Sequence, residues 1–209
     1  MKLVKLFFLI TLFFIIVPSK ANIEEPDILI KRLTDEIIVF SKTDKEMLSG
    51  SKSRVIEIIN KKILPYVSFK RMTSTASGRY WRDASEDQKL KLILEFKKLL
   101  VFTYAGAISK IKNQEVQFKP IRMEPNDTEV EIHLNIMKKR GDSFQISYRL
   151  EKTDNGWKIY DVNILGAWLV ETYKAGFSSE IRKNGLDGLI SLLNKRNKNL
   201  SEAFDTQIK

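Results

Sequence analysis

No cysteine occurs in the 209 residues, and there is a single histidine. The first absence excludes disulfides and any lipid-bearing N-terminal cysteine. A chain of this length can still bury enough apolar surface to fold without cross-links. Together the two absences remove thiol and imidazole metal sites, and no Asp/Glu loop has calcium spacing, so no metal site is expected. Gly-rich phosphate loops are missing, as is any Gly/Ser/Pro linker that would divide the chain. No nucleic-acid recognition motif is present, so the net charge of +10 argues for solubility or an anionic lipid surface. A general Lys, Ile and Asn enrichment accounts for that charge equally well.

What is present begins with an export pattern. Lys2 and Lys5 precede an apolar run from Leu6 to Val17, Pro18 breaks it, and Ser19-Lys20-Ala21 offers small residues at a peptidase site. The run is shorter than the ~18 residues that span a bilayer. Residues 1–21 are therefore expected to be a signal peptide cleaved after about Ala21, with 22–209 one domain in the periplasm. An uncleaved anchor holding an envelope scaffold is the alternative.

The first half reads helical. Pro26 suits a first turn, and Leu29, Leu33, Ile37 and Phe40 recur at helical spacing. Val55, Ile56, Ile59 and Ile63 follow, up to Pro65. Ser68 is expected to cap a short helix that Gly78 ends. Ser85 to Gln88 forms a capping-box pattern opening a long helix through Leu100, Tyr104 and Ile108.

From Glu115 the period changes to two. Glu115–Met123, the Val130–Ile136 alternation, the Phe144–Leu150 alternation and the run after Gly156 predict four antiparallel strands. Turns are expected at Pro125-Asn126-Asp127, Arg140-Gly141-Asp142 and Asp154-Asn155-Gly156. A three-residue loop at the last pairs Leu150 with Tyr160, Tyr148 with Val162 and Ile146 with Ile164, so Tyr160 points inward and Asp161 away. A helix from about Leu165 to Lys183 and a last helix capped by Asp187 complete the chain, with a frayed tail over 195–209. The class is α+β: N-terminal helices, a curved four-stranded antiparallel sheet, and C-terminal helices on one face, enclosing an apolar pocket.

Chemistry is sparse along this frame. His133 shares the polar side of its strand with Glu131 and Asn135 and has no proposed partner for acid–base work. Asp161 beside Tyr160 is the one acid worth weighing, because curved sheets with helices also host isomerases and dehydratases that use an Asp base. A solvated or helix-capping Asp is the competing reading.

An ordered set of segments resembles the MlaC family of periplasmic phospholipid-binding proteins. Leu64-Pro65-Tyr66-Val67, Gly78-Arg79-Tyr80-Trp81-Arg82, Glu95-Phe96 and Thr103-Tyr104 carry the first part. Gly156-Trp157-Lys158, Tyr160-Asp161-Val162, Leu169-Val170, Tyr173, Phe177 and Gly185 to Ile190 carry the rest. Ser68, Trp168 and Gly176 depart from the family pattern, and Trp168 is expected to narrow the pocket.

The resemblance implies a carrier that moves phospholipid between two membranes, exchanging it with an inner-membrane ABC transporter complex and an outer-membrane lipoprotein complex. It supplies no catalytic residues and no cofactor, the phospholipid being cargo. Leu100, Tyr104, Val130, Ile132, Ile146, Tyr148, Tyr160, Val162, Leu169 and Tyr173 are the expected lipid-binding wall. Arg79, Trp81 and Arg82 are candidates for headgroup or membrane-surface contact.

Overall fold

The computed structural model describes residues 23–108, 114–137 and 143–206. The signal segment and the Arg140-Gly141-Asp142 turn lie outside the described residues. Helices come first: α1 (Pro26–Thr43), a short α2 (Lys45–Leu48), α3 (Lys52–Lys62), a 3-10 turn (Leu64–Tyr66), α4 (Phe69–Ser77), α5 (Tyr80–Asp83) and α6 (Glu86–Ile108). Strands β1 (Glu115–Phe118), β2 (Glu129–Met137), β3 (Ser143–Thr153), β4 (Gly156–Ile164) and β5 (Ala167–Trp168) follow, then α7 (Leu169–Thr206). The sheet is an antiparallel meander in the order β1-β2-β3-β4-β5.

Local chemistry explains most of these boundaries. At the start of α6 the Ser85 N–H donates to Gln88 Oε1 at 3.1 Å, and the Gln88 N–H donates to Ser85 Oγ at 3.2 Å, the reciprocal box read from the sequence. Pro26 opens α1, and Gly78 ends α4 at φ 56°. Ser68 precedes α4 without a side-chain cap; its backbone N–H is used instead, donating to the Ile159 carbonyl. Beyond Phe118 the expected first strand stops. The Lys119 N–H still donates to the His133 carbonyl, but Pro120 has no N–H with which to extend the ladder.

Strand β4 corrects the expected register. Its hairpin turns in two residues, Asp154-Asn155, because Thr153 pairs with Gly156. Leu150 therefore faces Ile159, not Tyr160. A bulge between Arg149 and Leu150 then restores the expected pairs Tyr148–Val162 and Ile146–Ile164. One extra residue reverses the faces on either side of it. Trp157 and Ile159 thus join the sheet core at 4 % exposure each, and Tyr160 turns out to the opposite side.

A second difference follows β4. The chain reverses at Leu165-Gly166, both residues at positive φ (55° and 89°), and Ala167 pairs back onto Ile164. That hairpin creates β5 and delays the helix to Leu169. Helix α7 is interrupted at Gly185, whose φ 71° and ψ −178° are open only to glycine. The expected fray from Lys195 is replaced by continued helix. Asn197 is buried there, and its Nδ2 donates to Glu95 O at 2.9 Å and to Glu95 Oε2 at 2.7 Å. Burial raises the Glu95 pKa, but the hydrogen bonds from Asn197 and Lys98 outweigh it and leave the carboxyl below its ordinary value.

Three apolar cores result. Leu92, Phe96, Leu99, Phe177, Leu189 and Leu193 join α6 to α7. Leu29, Val130, Ile132, Leu150, Trp157 and Ile159 join α1 to the sheet. Ile37, Val55, Ile58, Val101 and Ala105 join α1 and α3 to α6. The space where these cores would meet is left unfilled.

Candidate functional site

That unfilled space is a cavity of about 320 Å³, toward the lower end of the roughly 300–1,000 Å³ typical of ligand sites. One wall is the concave sheet face, with Val116, Leu134, Ile136, Phe144, Ile146, Tyr148, Ile159, Val162 and Ile164. The other is helical: Ile30, Leu33 and Ile37 of α1, Ile59 of α3, Met72 of α4, and Leu100, Val101, Tyr104 and Ile108 of α6, with Leu169 opening α7.

No described lining residue is charged, and Thr34, Tyr104 and Tyr148 are the polar ones. The Thr34 hydroxyl is spent on the Ile30 carbonyl at 2.7 Å. Burial, followed by the partner Tyr173, pushes the Tyr104 phenol up to about 12. Burial alone does the same at Tyr148. Both tyrosines therefore stay neutral at physiological pH, so the cavity presents no charge to an occupant. A second groove, of about 440 Å³, runs along the outside of α1 among Lys31, Arg32, Asp35, Glu36 and Lys62. Ile28, Val39 and Phe40 line it as well, but the ion pairs of Arg32 and Lys62 with Glu36 flank it, unlike the uncharged wall of the cavity.

Six of the ten residues expected in the wall line the cavity: Leu100, Tyr104, Ile146, Tyr148, Val162 and Leu169. The other four lie elsewhere. Val130 and Ile132 sit further along β2, in the closed core with Leu150 and Trp157. Tyr173 stands behind the cavity in the α6–α7 core, its ring 5.1 Å from that of Phe96. Tyr160 is turned out by the bulge, where Arg71 stacks on its ring at 3.6 Å and its hydroxyl donates to Glu129 Oε2 at 2.8 Å.

Trp168 does not narrow the cavity either. It packs on the outer sheet face under the Arg149 guanidinium, 3.7 Å from the ring centre. Trp81 and Arg82 belong to the short α5, which Arg79 immediately precedes, near the start of α6, where Lys89 lies 5.8 Å over the Trp81 ring. Leu100, the first α6 residue of the cavity, is eleven positions further on, about 16 Å along the helix.

The sequence reading missed the α1 and α3 contributions. Their apolar stripes read as ordinary core, and nothing local in them says that the opposing layer stands off.

Asp161 has a different task from the catalytic one weighed for it. It lies outside the cavity lining, 5 % exposed, on the outer sheet face. Its Oδ1 accepts the N–H groups of Val162 (2.8 Å) and Val170 (3.1 Å), fastening the first turn of α7 to β4. Burial raises its pKa, opposed by those two N–H groups and by Arg149.

An acid whose pKa rises on folding contributes its stability below its unfolded pKa, and loses it as pH climbs through the folded one. Asp161→Asn keeps the acceptor and removes that slope, so its stability relative to the parent should improve from pH 4 to 7. Asp161→Ala leaves two amides unpaired and should cost about 1–2 kcal/mol below pH 4, a cost that narrows as the pH rises and the parent loses stability. Urea melts of the three proteins across that range check both statements. His133, the only histidine, also sits outside the cavity, its Nδ1 2.8 Å from Ser147 Oγ.

Comparison with known proteins places this cavity in context. The family model described as MlaC protein matches residues 31–195. The chain is 22% identical over 169 residues to the intermembrane phospholipid transport system binding protein MlaC of Haemophilus influenzae, covering 79% of each. It is 21% identical over 165 residues to the toluene tolerance protein ttg2D of Pseudomonas putida, covering 78% of this chain and 76% of that one. Among solved structures it superposes on a phospholipid-binding protein from Ralstonia solanacearum, determined in complex with a phospholipid. That match has a TM-score of 0.79 and 37% identity, and covers 85% of this chain and 99% of the other.

Proposed function

Because the chain belongs to the MlaC family, we propose that it is a phospholipid carrier that holds acyl chains in the cavity between sheet and helices. The observation that carries this reading is a cavity wall free of charge across its described residues, in a chain that folds like a protein solved with phospholipid bound. No helix among the described residues is long and apolar enough to cross a membrane, which suits a carrier working between membranes.

Energetics suit the role as well. Each methylene withdrawn from water contributes about 0.8 kcal/mol. The dozen or so methylenes that a cavity of about 320 Å³ encloses gain roughly 10 kcal/mol against water, yet little against another bilayer. A carrier of this kind retains its cargo in water and still releases it at a membrane.

The reading includes export. The N-terminal segment serves as a signal peptide removed near Ala21, and the mature chain works in the periplasm. The transport-system name of the Haemophilus relative supports exchange with an inner-membrane ABC transporter complex and an outer-membrane lipoprotein complex. The wall is assigned to Leu100, Tyr104, Ile146, Tyr148, Val162 and Leu169, with the α1 and α3 residues facing them. The isomerase reading loses support, because Asp161 is not among the residues that line this cavity.

The test is transfer of a fluorescent phospholipid between two vesicle populations separated by a membrane that passes only protein. Lipid should appear in the acceptor population in proportion to carrier added. Transfer equal to the protein-free control, by protein that also holds no phospholipid as purified, would end the proposal.

A further inference from the structure

The Leu165-Gly166 turn is built against the ordinary rules of hairpin chemistry. Both central residues of this two-residue turn have positive φ, the arrangement that favours Asn-Gly or Asp-Gly. Leucine has no side-chain acceptor to ease the left-handed conformation and meets its own backbone there. It is also 74% exposed, the highest value among the exposed large apolar side chains of the described residues. Strain and exposure thus coincide at one position, and no core contact inside the fold compensates for either.

Position supplies the reason. Ile164, immediately before the turn, lines the cavity, and Leu169, just after β5, lines it too. By register the turn lies beside Phe144 and Gln145, at the end of the sheet where Glu115, Met137 and Ser143 stand. Ile108, the last residue of α6, lines the same cavity. The same hairpin carries the half-buried Trp168, stacked by Arg149, and Trp and Arg are side chains suited to a membrane–water boundary. The net charge, +10 in the full chain and +7 once residues 1–21 with Lys2, Lys5 and Lys20 are removed, favours approach to an anionic bilayer.

We propose that Leu165 is an apolar wedge by which the carrier engages a phospholipid bilayer, bringing the cavity against the lipid surface for loading and unloading. The inference rests on the carrier reading above and adds a named contact and its partner, the bilayer itself. A single leucine suits the task, since one side chain gives reversible contact and does not anchor the protein.

Leu165→Asn creates the favoured Asn-Gly turn, so the variant should be the better folded protein, its Tm higher by about 2–4 °C. Its equilibrium load of phospholipid should match the parent's, while its rate of lipid uptake from protein-free vesicles of phosphatidylethanolamine and phosphatidylglycerol falls about tenfold. Leu165→Met, which keeps an apolar tip, should take up lipid at close to the parental rate. An unchanged rate in Leu165→Asn overturns the proposal. So does a parent that carries lipid when purified yet takes none from bare vesicles, because hand-over would then need a protein partner. A parent that neither carries nor takes up lipid would strike the carrier reading itself.

Discussion

Tyr148→Glu should leave the protein folded and strip it of phospholipid, lowering the lipid-to-protein ratio more than tenfold. Tyr148 stands on the concave sheet face between Ile132 and Val162, and its side chain lines the cavity. A carboxylate there has no cationic partner among the described lining residues. Water can hydrate it while the cavity is empty, but acyl chains would displace that water and strand the charge. Leaving a carboxylate unpaired in an apolar site costs several kcal/mol, and 1.4 kcal/mol already shifts occupancy tenfold. Phosphate analysis of organic extracts, beside circular dichroism of the same sample, reads both quantities. A folded variant that keeps a full lipid load would mean that the acyl chains lie elsewhere.

Phe96→Ala should produce the largest loss of stability. Phe96 is fully buried in the α6–α7 core, with edge-on contacts to Tyr173 and Phe177 at 5.1 Å each. Removing a ring from such a site costs about 3–5 kcal/mol, the transfer free energy plus the hole left behind. In a domain of this size that lowers Tm by roughly 6–20 °C. Lipid binding should persist below the new transition, because Phe96 is not part of the cavity wall. A Tm within 2 °C of the parent would show that α7 is not held by this core.

Much of the fold is legible in the sequence, and the misses share a cause. The capping box at Ser85, the change of period at Glu115 and the alternation of Val130 to Ile136 are local signals, and each is realised. The β4 bulge left a trace that simple alternation hides. Trp157 and Ile159 are apolar in one phase, and Val162 and Ile164 in the other. Two apolar pairs out of phase within one strand indicate an inserted residue, because both pairs must then face the same core.

The docking of the C-terminal helix had no such trace. Asn197 looks like part of a polar tail until Glu95 is found beside it, 102 residues earlier in the chain. The cavity shows the same limit. Leu134 and Val130 follow one alternation on one strand face, yet Leu134 lines the cavity and Val130 closes the core. Which of two equivalent positions meets a standing-off helix is decided by packing across layers, and periodicity carries no information on it.

The central claim is that the space between sheet and helices is made for lipid chains. Native mass spectrometry of the mature protein, purified without detergent, tests it most directly. One phospholipid per chain should be found, released intact on collisional activation and absent from Tyr148→Glu. A spectrum of apo protein alone, unchanged after incubation with vesicles, would contradict it.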